Sequence, residues 1–257
     1  NGATTGSIDA ALLTGGIVSG TVTADDSDEP LTGACVAVSS SNPYFYGSAC
    51  TGTDGRYSID RIPAGSYQVR FSPPNGTAYL PQWHANKTSA ATANLVAVSP
   101  GSTAGSIDAA LVTGGTITGT VRSEKDNSVL VGACVTATRV PPGTLVPYGA
   151  SDCTGSDGTY EITGLEAGDH LVQFQPAYNT NFIPEFFDNA ATVSTATPVA
   201  VSLGATRSGL DARLAVGGSI TGTVTDKITG DPLPSTYVAI VSTGTGVYSS
   251  YWASTDS

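Results

Sequence analysis

The chain has 257 residues, only 12% of them charged, and its net charge is −11 at pH 7. So sparse and acidic a surface lacks the clustered Lys and Arg on which binding to nucleic acid or anionic lipid depends. No run of ~18 apolar residues is present to form a membrane-spanning helix, and 31 Gly and 15 Pro, with abundant Thr, Ser and Val, point to short strands and tight turns.

One passage recurs almost three times. GSIDAALLTGGIVSGTV, from Gly6 to Val22, returns from Gly105 as GSIDAALVTGGTITGTV and from Ser208 as SGLDARLAVGGSITGTV. The second glycine of each GG pair is Gly16, Gly115 and Gly218, so the repeat steps are 99 and 103 residues. Solenoid units repeat every ~20–50 residues; this period is the size of a small self-sufficient domain. Residues 1–14 therefore read as the last strand of a preceding unit. Residues 15–113 and 114–216 read as two complete repeats, and 217–257 as the first strands of an incomplete third. A third unit standing alone would expose Ile220, Val224, Val238 and Ile240. Either the natural chain continues, as in a window cut from a longer repetitive protein, or a neighbouring chain adds a strand.

Each repeat opens with a strand in period two. Val18, Gly20 and Val22 share an apolar face, and Ile17, Ser19 and Thr21 share the other. Ile117, Gly119 and Val121, then Ile220, Gly222 and Val224, follow suit. A glycine on the buried face predicts close approach of another chain segment. The second strand, GACVAVS from Gly33 and GACVTAT from Gly132, points Ala34, Val36 and Val38 inward and Cys35 outward. Next come TGTDGRYSI and TGSDGTYEI, where Asp54-Gly55 and Asp157-Gly158 predict hairpins. SYQVRF and DHLVQF then alternate, and NLVAVS with SIDAAL closes the unit. No segment keeps helical spacing over a dozen residues.

The four cysteines form two comparable pairs, Cys35 with Cys50 and Cys134 with Cys153. The third repeat has Tyr237 at the first position and, when SACTGTDG is matched to YWASTDS, Trp252 at the second. Both cysteines are lost together, as disulfide partners are; the alternative is four buried thiols. Disulfides imply an oxidising compartment, so a secreted or cell-surface protein. The extra four residues of the second repeat lie between its cysteines, where RVPPGTLVPYG replaces SSNPYFYG, a loop on a fixed scaffold.

The order G-x-[IV]-x-G-x-V, GACV, T-x-x-DG-x-Y-x-I and AG-x-x-x-V-x-F resembles the carboxypeptidase regulatory-like domain. It is also similar to the B-type repeat of Gram-positive collagen adhesins. The resemblance implies tandem all-β, seven-stranded Greek-key sandwiches of the transthyretin or immunoglobulin-like kind, acting as non-catalytic extracellular spacers. Many B-type repeats carry a self-formed Lys–Asn isopeptide bond. Here Lys87, Lys125 and Lys227 occupy different places in the repeat, so no shared crosslink of that kind is expected, and the disulfide serves instead.

Chemistry-bearing residues are few. No nucleophile-elbow, zinc-protease, Cys-x-x-Cys or phosphate-loop pattern occurs, and no catalytic residue, metal or cofactor is expected. His170 reads as a core or rim histidine. His84 lies in YLPQWHAN, which aligns with FIPEFFDN. Trp83, Phe186 and Phe187 in these segments are the candidate ligand aromatics, to stack on a sugar or another chain; otherwise they cap the sandwich or pack at a domain join. Asp25, Asp26, Asp28 and Glu29 form an acidic loop, a solvated turn or a weak calcium site. Asp9, Asp108 and Asp211 recur as turn or edge partners. Asn75 and Asn86 sit in glycosylation sequons. The functional expectation is a stalk, adhesin or fibre whose partners are copies of itself, neighbouring repeats or glycans. The alternative is a carbohydrate-binding or accessory module of a large secreted enzyme.

Overall fold

Runs of β-branched and aromatic residues in period two become strands. In the computed structural model, which describes residues 6, 14–42, 44–140, 149–241 and 250–256, the only helices among those residues are two three-residue 3-10 turns, Ala90–Thr92 and Val193–Thr195. The chain divides into two compact units. One is Asn1–Ile117 with Thr163–Gly168 and Val201–Arg207; the other is Thr118–Ile162 with Asp169–Ala200 and Ser208–Ser257. One pair of sheets is built from residues 16–111 and another from residues 115–214.

The first pair contains β1 (Gly16–Ala24), β2 (Cys35–Ser41), β3 (Tyr44–Cys50), β4 (Arg56–Ile62), β5 (Gly65–Ser72), β6 (Gln82–Trp83), β7 (Val96–Val98), β8 (Thr103–Ala104) and β9 (Ala109–Leu111). One sheet runs β4-β1-β8 with β9 also on β1; the other runs β3-β2-β5-β6 with β7 also on β5. The chain changes sheet after β1, β3, β4 and β7, giving the expected Greek-key sandwich. Its seven strands are β1 to β5, β7 and the broken β8/β9, and β6 is a short addition at an edge. Alternate residues fill the core: Val18 and Val22 from β1, Val36 and Val38 from β2, Tyr57 and Ile59 from β4, and Tyr67, Val69 and Phe71 from β5. Removing such side chains from water contributes about 1.5–3 kcal/mol each, the main drive for closing the two sheets.

The second pair repeats the plan with β10 (Gly115–Ser123), β11 (Cys134–Arg139), β12 (Ala150–Cys153), β13 (Thr159–Leu165), β14 (Gly168–Gln175), β15 (Glu185–Phe186), β16 (Val199–Val201), β17 (Thr206–Arg207) and β18 (Ala212–Leu214). Its sheets run β13-β10-β17 with β18 on β10, and β12-β11-β14-β15 with β16 on β14. Most of the insertion between its cysteines, residues 141–148, lies outside the described residues, as does the expected strand at 1–14 apart from residues 6 and 14.

Three expectations need correction. Asp54-Gly55 and Asp157-Gly158 do not make hairpins. β3 pairs with β2 and β4 pairs with β1, so the first of these turns carries the chain from one sheet to the other. The turn chemistry is as expected: Asp54 accepts the Arg56 N–H at 3.1 Å, and Gly55 has φ of 71°, with the Val22 carbonyl and Pro30 crowding the place a side chain would take. A corner and a hairpin make the same local demand, and β4 goes to β1 because there Tyr57 and Ile59 reach the core.

The first strand of the third repeat, expected at 218–224, forms no ladder. The strands that flank β1, namely β4, β8 and β9, have no counterpart among the described residues of 217–257. Among the described residues of this stretch the one ladder joins β19 (Tyr237–Val241) and β20 (Ser250–Ser254), with an isolated bridge between Thr225 and Pro232, and Ile220, Val238 and Ile240 stay exposed. The register also pairs Tyr237 with Ser254, and Trp252 with Ala239. The residue at the second cysteine position is therefore Ser254, not Trp252.

The buried-face glycines behave as expected. A side chain on Gly20 would collide with the Ile107 carbonyl, and one on Gly119 with that of Leu210, whereas nothing approaches Gly222. Gly20→Val should cost about 2–3 kcal/mol by overpacking, and Gly222→Val almost nothing, as read by urea unfolding. Equal effects would mean that the crossing segment does not press on β1.

Candidate functional site

In each repeat, the place where chemistry concentrates is the seam between its first and last strands. β9 lies parallel to β1, pairing Val22 with Ala109, Thr23 with Ala110 and Ala24 with Leu111; β8 pairs Ile17 with Thr103 and Val18 with Ala104. Between β8 and β9 the chain steps across Gly20, where no side chain obstructs it. Three bonds hold the step. The Ile107 N–H donates to the Ser19 carbonyl at 3.1 Å, the Tyr57 hydroxyl donates to the Ile107 carbonyl at 2.7 Å, and the Thr21 N–H donates to Asp108 Oδ1 at 2.7 Å.

The second repeat has the same seam. β18 pairs Val121 with Ala212 and Ser123 with Leu214, again in parallel. Leu210 donates to the Thr118 carbonyl at 3.1 Å, the Tyr160 hydroxyl to the Leu210 carbonyl at 2.7 Å, and the Thr120 N–H to Asp211 Oδ1 at 2.8 Å. Each tyrosine ring also packs edge-on against a core phenylalanine, Phe71 at 6.2 Å and Phe174 at 6.0 Å. Burial, and then the charge of Asp108 or Asp211, pushes both phenols well above the ordinary tyrosine range, so each stays a neutral donor. The aspartates were legible as edge partners. The role of the tyrosine hydroxyls is not legible in sequence beyond the fixed place of Tyr57 and Tyr160 in T-x-x-DG-x-Y-x-I.

A second fastening closes the other sheet. Cys35 is bonded to Cys50 and Cys134 to Cys153, with S–S distances of 1.94 and 1.95 Å, each joining residues directly opposite on β2/β3 or β11/β12. The next residue is a buried threonine. Thr51 Oγ1 accepts the Ala34 N–H at 3.0 Å and donates to the Leu31 carbonyl; Thr154 does the same with Ala133 and Leu130. Thr255 makes the matching bonds with Thr236 and Leu233, where no cysteine is present. The sequence signal for this threonine is its place after the second cysteine in both C-T-G segments.

The remaining candidates are not gathered into one site. Trp83 is half-buried on β6 opposite Arg70; Phe186 is half-buried on β15 opposite Gln173; the Phe187 N–H donates to the Val172 carbonyl. Asn75 and Asn86 are exposed on turns, Asn86 with φ of 58°. Asp25, Asp26, Asp28 and Glu29 are exposed in a turn closed by the Ala24 N–H on the Glu29 carbonyl. His170 is buried on the inner face of β14, and His84 is half-buried with its backbone N–H on Val69. Among the described residues no group of three His, Cys, Asp or Glu side chains is placed to hold a metal, and no helix is long and apolar enough to cross a membrane.

The family model of the carboxypeptidase regulatory-like domain matches residues 17–111, from the start of β1 to the end of β9. Over those residues the chain is similar to that domain family. No curated protein matches the chain. Among solved structures, the chain is similar to the TIE protein of Bacillus anthracis at 16% identity and a TM-score of 0.33, covering 95% of this chain and 42% of that one. It is similar to a streptococcal ancillary pilin at 15% identity and a TM-score of 0.38, covering 79% and 62%. It is also similar to GBS52, the minor pilin of Streptococcus agalactiae, at 13% identity and a TM-score of 0.40, covering 81% and 99%.

Two outcomes test the site. Tyr57→Phe leaves the Ile107 carbonyl unpaired beneath the crossing and should destabilise its unit by about 1–3 kcal/mol, seen as a lowered urea midpoint; no change would remove the tyrosine from the seam. Glu185, beside Phe186, has its carboxyl raised from 4.5 to about 6, by burial and by the Glu124 charge, against a lowering backbone bond from Arg213. A raised carboxyl pKa favours the folded state at low pH and loses that advantage as pH rises from about 4.5 through 6. Glu185→Gln should therefore melt at a higher temperature than the wild type at pH 7, with the gap closing by pH 4.5. A gap independent of pH would contradict the assignment.

Proposed function

We propose that the chain is a non-catalytic part of an extracellular stalk, adhesin or fibre, in which residues 15–113 and 114–216 are separate sandwiches that transmit tension along the polypeptide. The observation that carries this reading is the parallel pairing of the first strand of a repeat with its last. In a tandem array, tension enters a repeat at the N-terminus of β1 and leaves at the C-terminus of β9. Parallel strands drawn in those opposite senses slide along each other. Their hydrogen bonds, which lie across the pull, are then loaded together rather than one at a time.

Three further features support it. The seam bonds recur in both repeats, as a unit selected for its ends would require. Each disulfide joins neighbouring strands and keeps its loop out of any extension. Only residues 112–114 separate the last strand of the first repeat from the first strand of the second, too short a stretch to be a flexible linker. Disulfides in both repeats favour an oxidising location outside the cell, and the partners are neighbouring repeats or further copies of the chain.

Single-molecule stretching of the oxidised chain should give two comparable high-force events, one per complete repeat. Reduction should lengthen them by ~50 Å and ~65 Å, the span of the 15- and 19-residue separations at ~3.5 Å per residue. A Tyr57→Phe, Asp108→Ala double variant should lower the force of one event and leave the other unchanged. A chain that extends without force peaks would end the mechanical reading.

A further inference from the structure

On the outer face of the β3-β2-β5-β6 sheet, alternation sets Tyr44, Tyr46, Ser48 and Cys50 on the same side as Ala37, Ser39, Gln68 and Arg70. Trp83 joins them, because it is paired with Arg70. Tyr44 and Tyr46 are 84% and 61% exposed, unusual for rings on an open sheet face when their neighbours are Ser and Ala. Arg70 is also exposed, and among the described residues it has no ion-pair partner. Those described strands present no carboxylate on this face, although the chain as a whole carries a net charge of −11. This face thus sets exposed aromatic rings beside a cation that has no ion-pair partner among the described residues.

The second repeat provides an internal comparison. The position of Tyr46 is taken by Gly149, that of Arg70 by Gln173 and that of Trp83 by Phe186. The fold therefore does not need Tyr46 or Arg70 where they stand, and a purely structural explanation of these residues fails in the homologous sheet.

We propose that this face of the first repeat binds an acidic polysaccharide, one built from uronic acid sugars. The C–H faces of pyranose rings carry a slight positive charge and stack on the negative faces of tyrosine and tryptophan rings. Hydroxyls of Ser39 and Ser48 suit a ligand edged with hydroxyls. Tyr46 on β3 and Trp83 on β6 are three strands apart, roughly 14 Å at the usual spacing, so a linear glycan lies across the strands with a stacking ring at either end. Arg70, between them, pairs with a sugar carboxylate through its planar fork. Charge complementarity selects the acidic glycan over a neutral one, since the described strands of this face carry Arg70 and no carboxylate to compete for it. The site is independent of the tension-bearing reading and stands or falls separately.

The test is calorimetric titration of the 257-residue protein with octagalacturonate and with cellooctaose, using an acidic peptide, octaglutamate, as a control. Saturable binding of octagalacturonate, weaker binding of cellooctaose and none of octaglutamate is expected. Tyr46→Ala and Trp83→Ala should each weaken octagalacturonate binding about tenfold. Arg70→Gln, which copies the second repeat, should abolish the preference for the acidic sugar and the salt dependence while leaving the weak binding of cellooctaose intact. Thermal melting of each variant establishes that the fold is kept. No saturable binding of octagalacturonate, or binding indifferent to Tyr46→Ala and Trp83→Ala, overturns the site. Equal binding of octaglutamate overturns the sugar assignment, and equal affinity for both sugars overturns the acidic one.

Discussion

The structure depends on one contact: the last strand of a repeat crossing its first where that strand has no side chain. At Gly20 the Ile107 carbonyl lies where a side chain would stand, and from there the final strand continues parallel to β1. A closing strand can lie there only if β1 offers a gap. The gap is glycine, and the segment is then pinned from both sides by the Tyr57 hydroxyl and the Asp108 carboxylate. The ring beneath the hydroxyl belongs to the core and the carboxylate to the surface, so the seam fastens the inside of the sandwich to its edge.

From this constraint the mechanical role follows without added parts. Isolated strands at a sheet edge peel easily, because each hydrogen bond is broken in turn. A parallel pair drawn from opposite ends has no such easy route. The disulfides sit on the other sheet, away from this seam, and so protect different strands. The two fastenings are complementary: one resists the onset of unfolding, the other limits the length released afterwards.

Much of this was readable in the amino-acid sequence. Period-two strands such as Ile17–Val22 and Ser66–Phe71 announce both sheet faces, the outward Cys35 follows from the inward Val36, and Gly20 on a buried face implies a crossing segment. Failures came where local chemistry has two global outcomes. Asp54-Gly55 makes a tight turn whether the next strand pairs with β3 or leaves for the other sheet; which one is decided by where Tyr57 and Ile59 find a core. The second cysteine position in the third repeat was misplaced because the loop before it differs in length, and the Thr51-like hydroxyl bonds that identify the register leave no hydrophobic trace. The Tyr57 hydroxyl was hidden for a similar reason: alternation reports that a ring is buried, not what its oxygen reaches. The outer-face grouping of Tyr46, Arg70 and Trp83 was out of reach altogether, since β3, β5 and β6 become neighbours only through the Greek-key order.

The most direct test of the central claim is to pull the first repeat in two directions. Handles at Gly15 and Thr113 load β1 and β9 in shear. Handles at Ser27 and Thr113 draw apart the two strand ends that lie side by side, unzipping the same pair one bond at a time. The seam as described predicts a rupture force several times higher for the first geometry than for the second, whereas equal forces in both would mean that the parallel pair does not bear the tension.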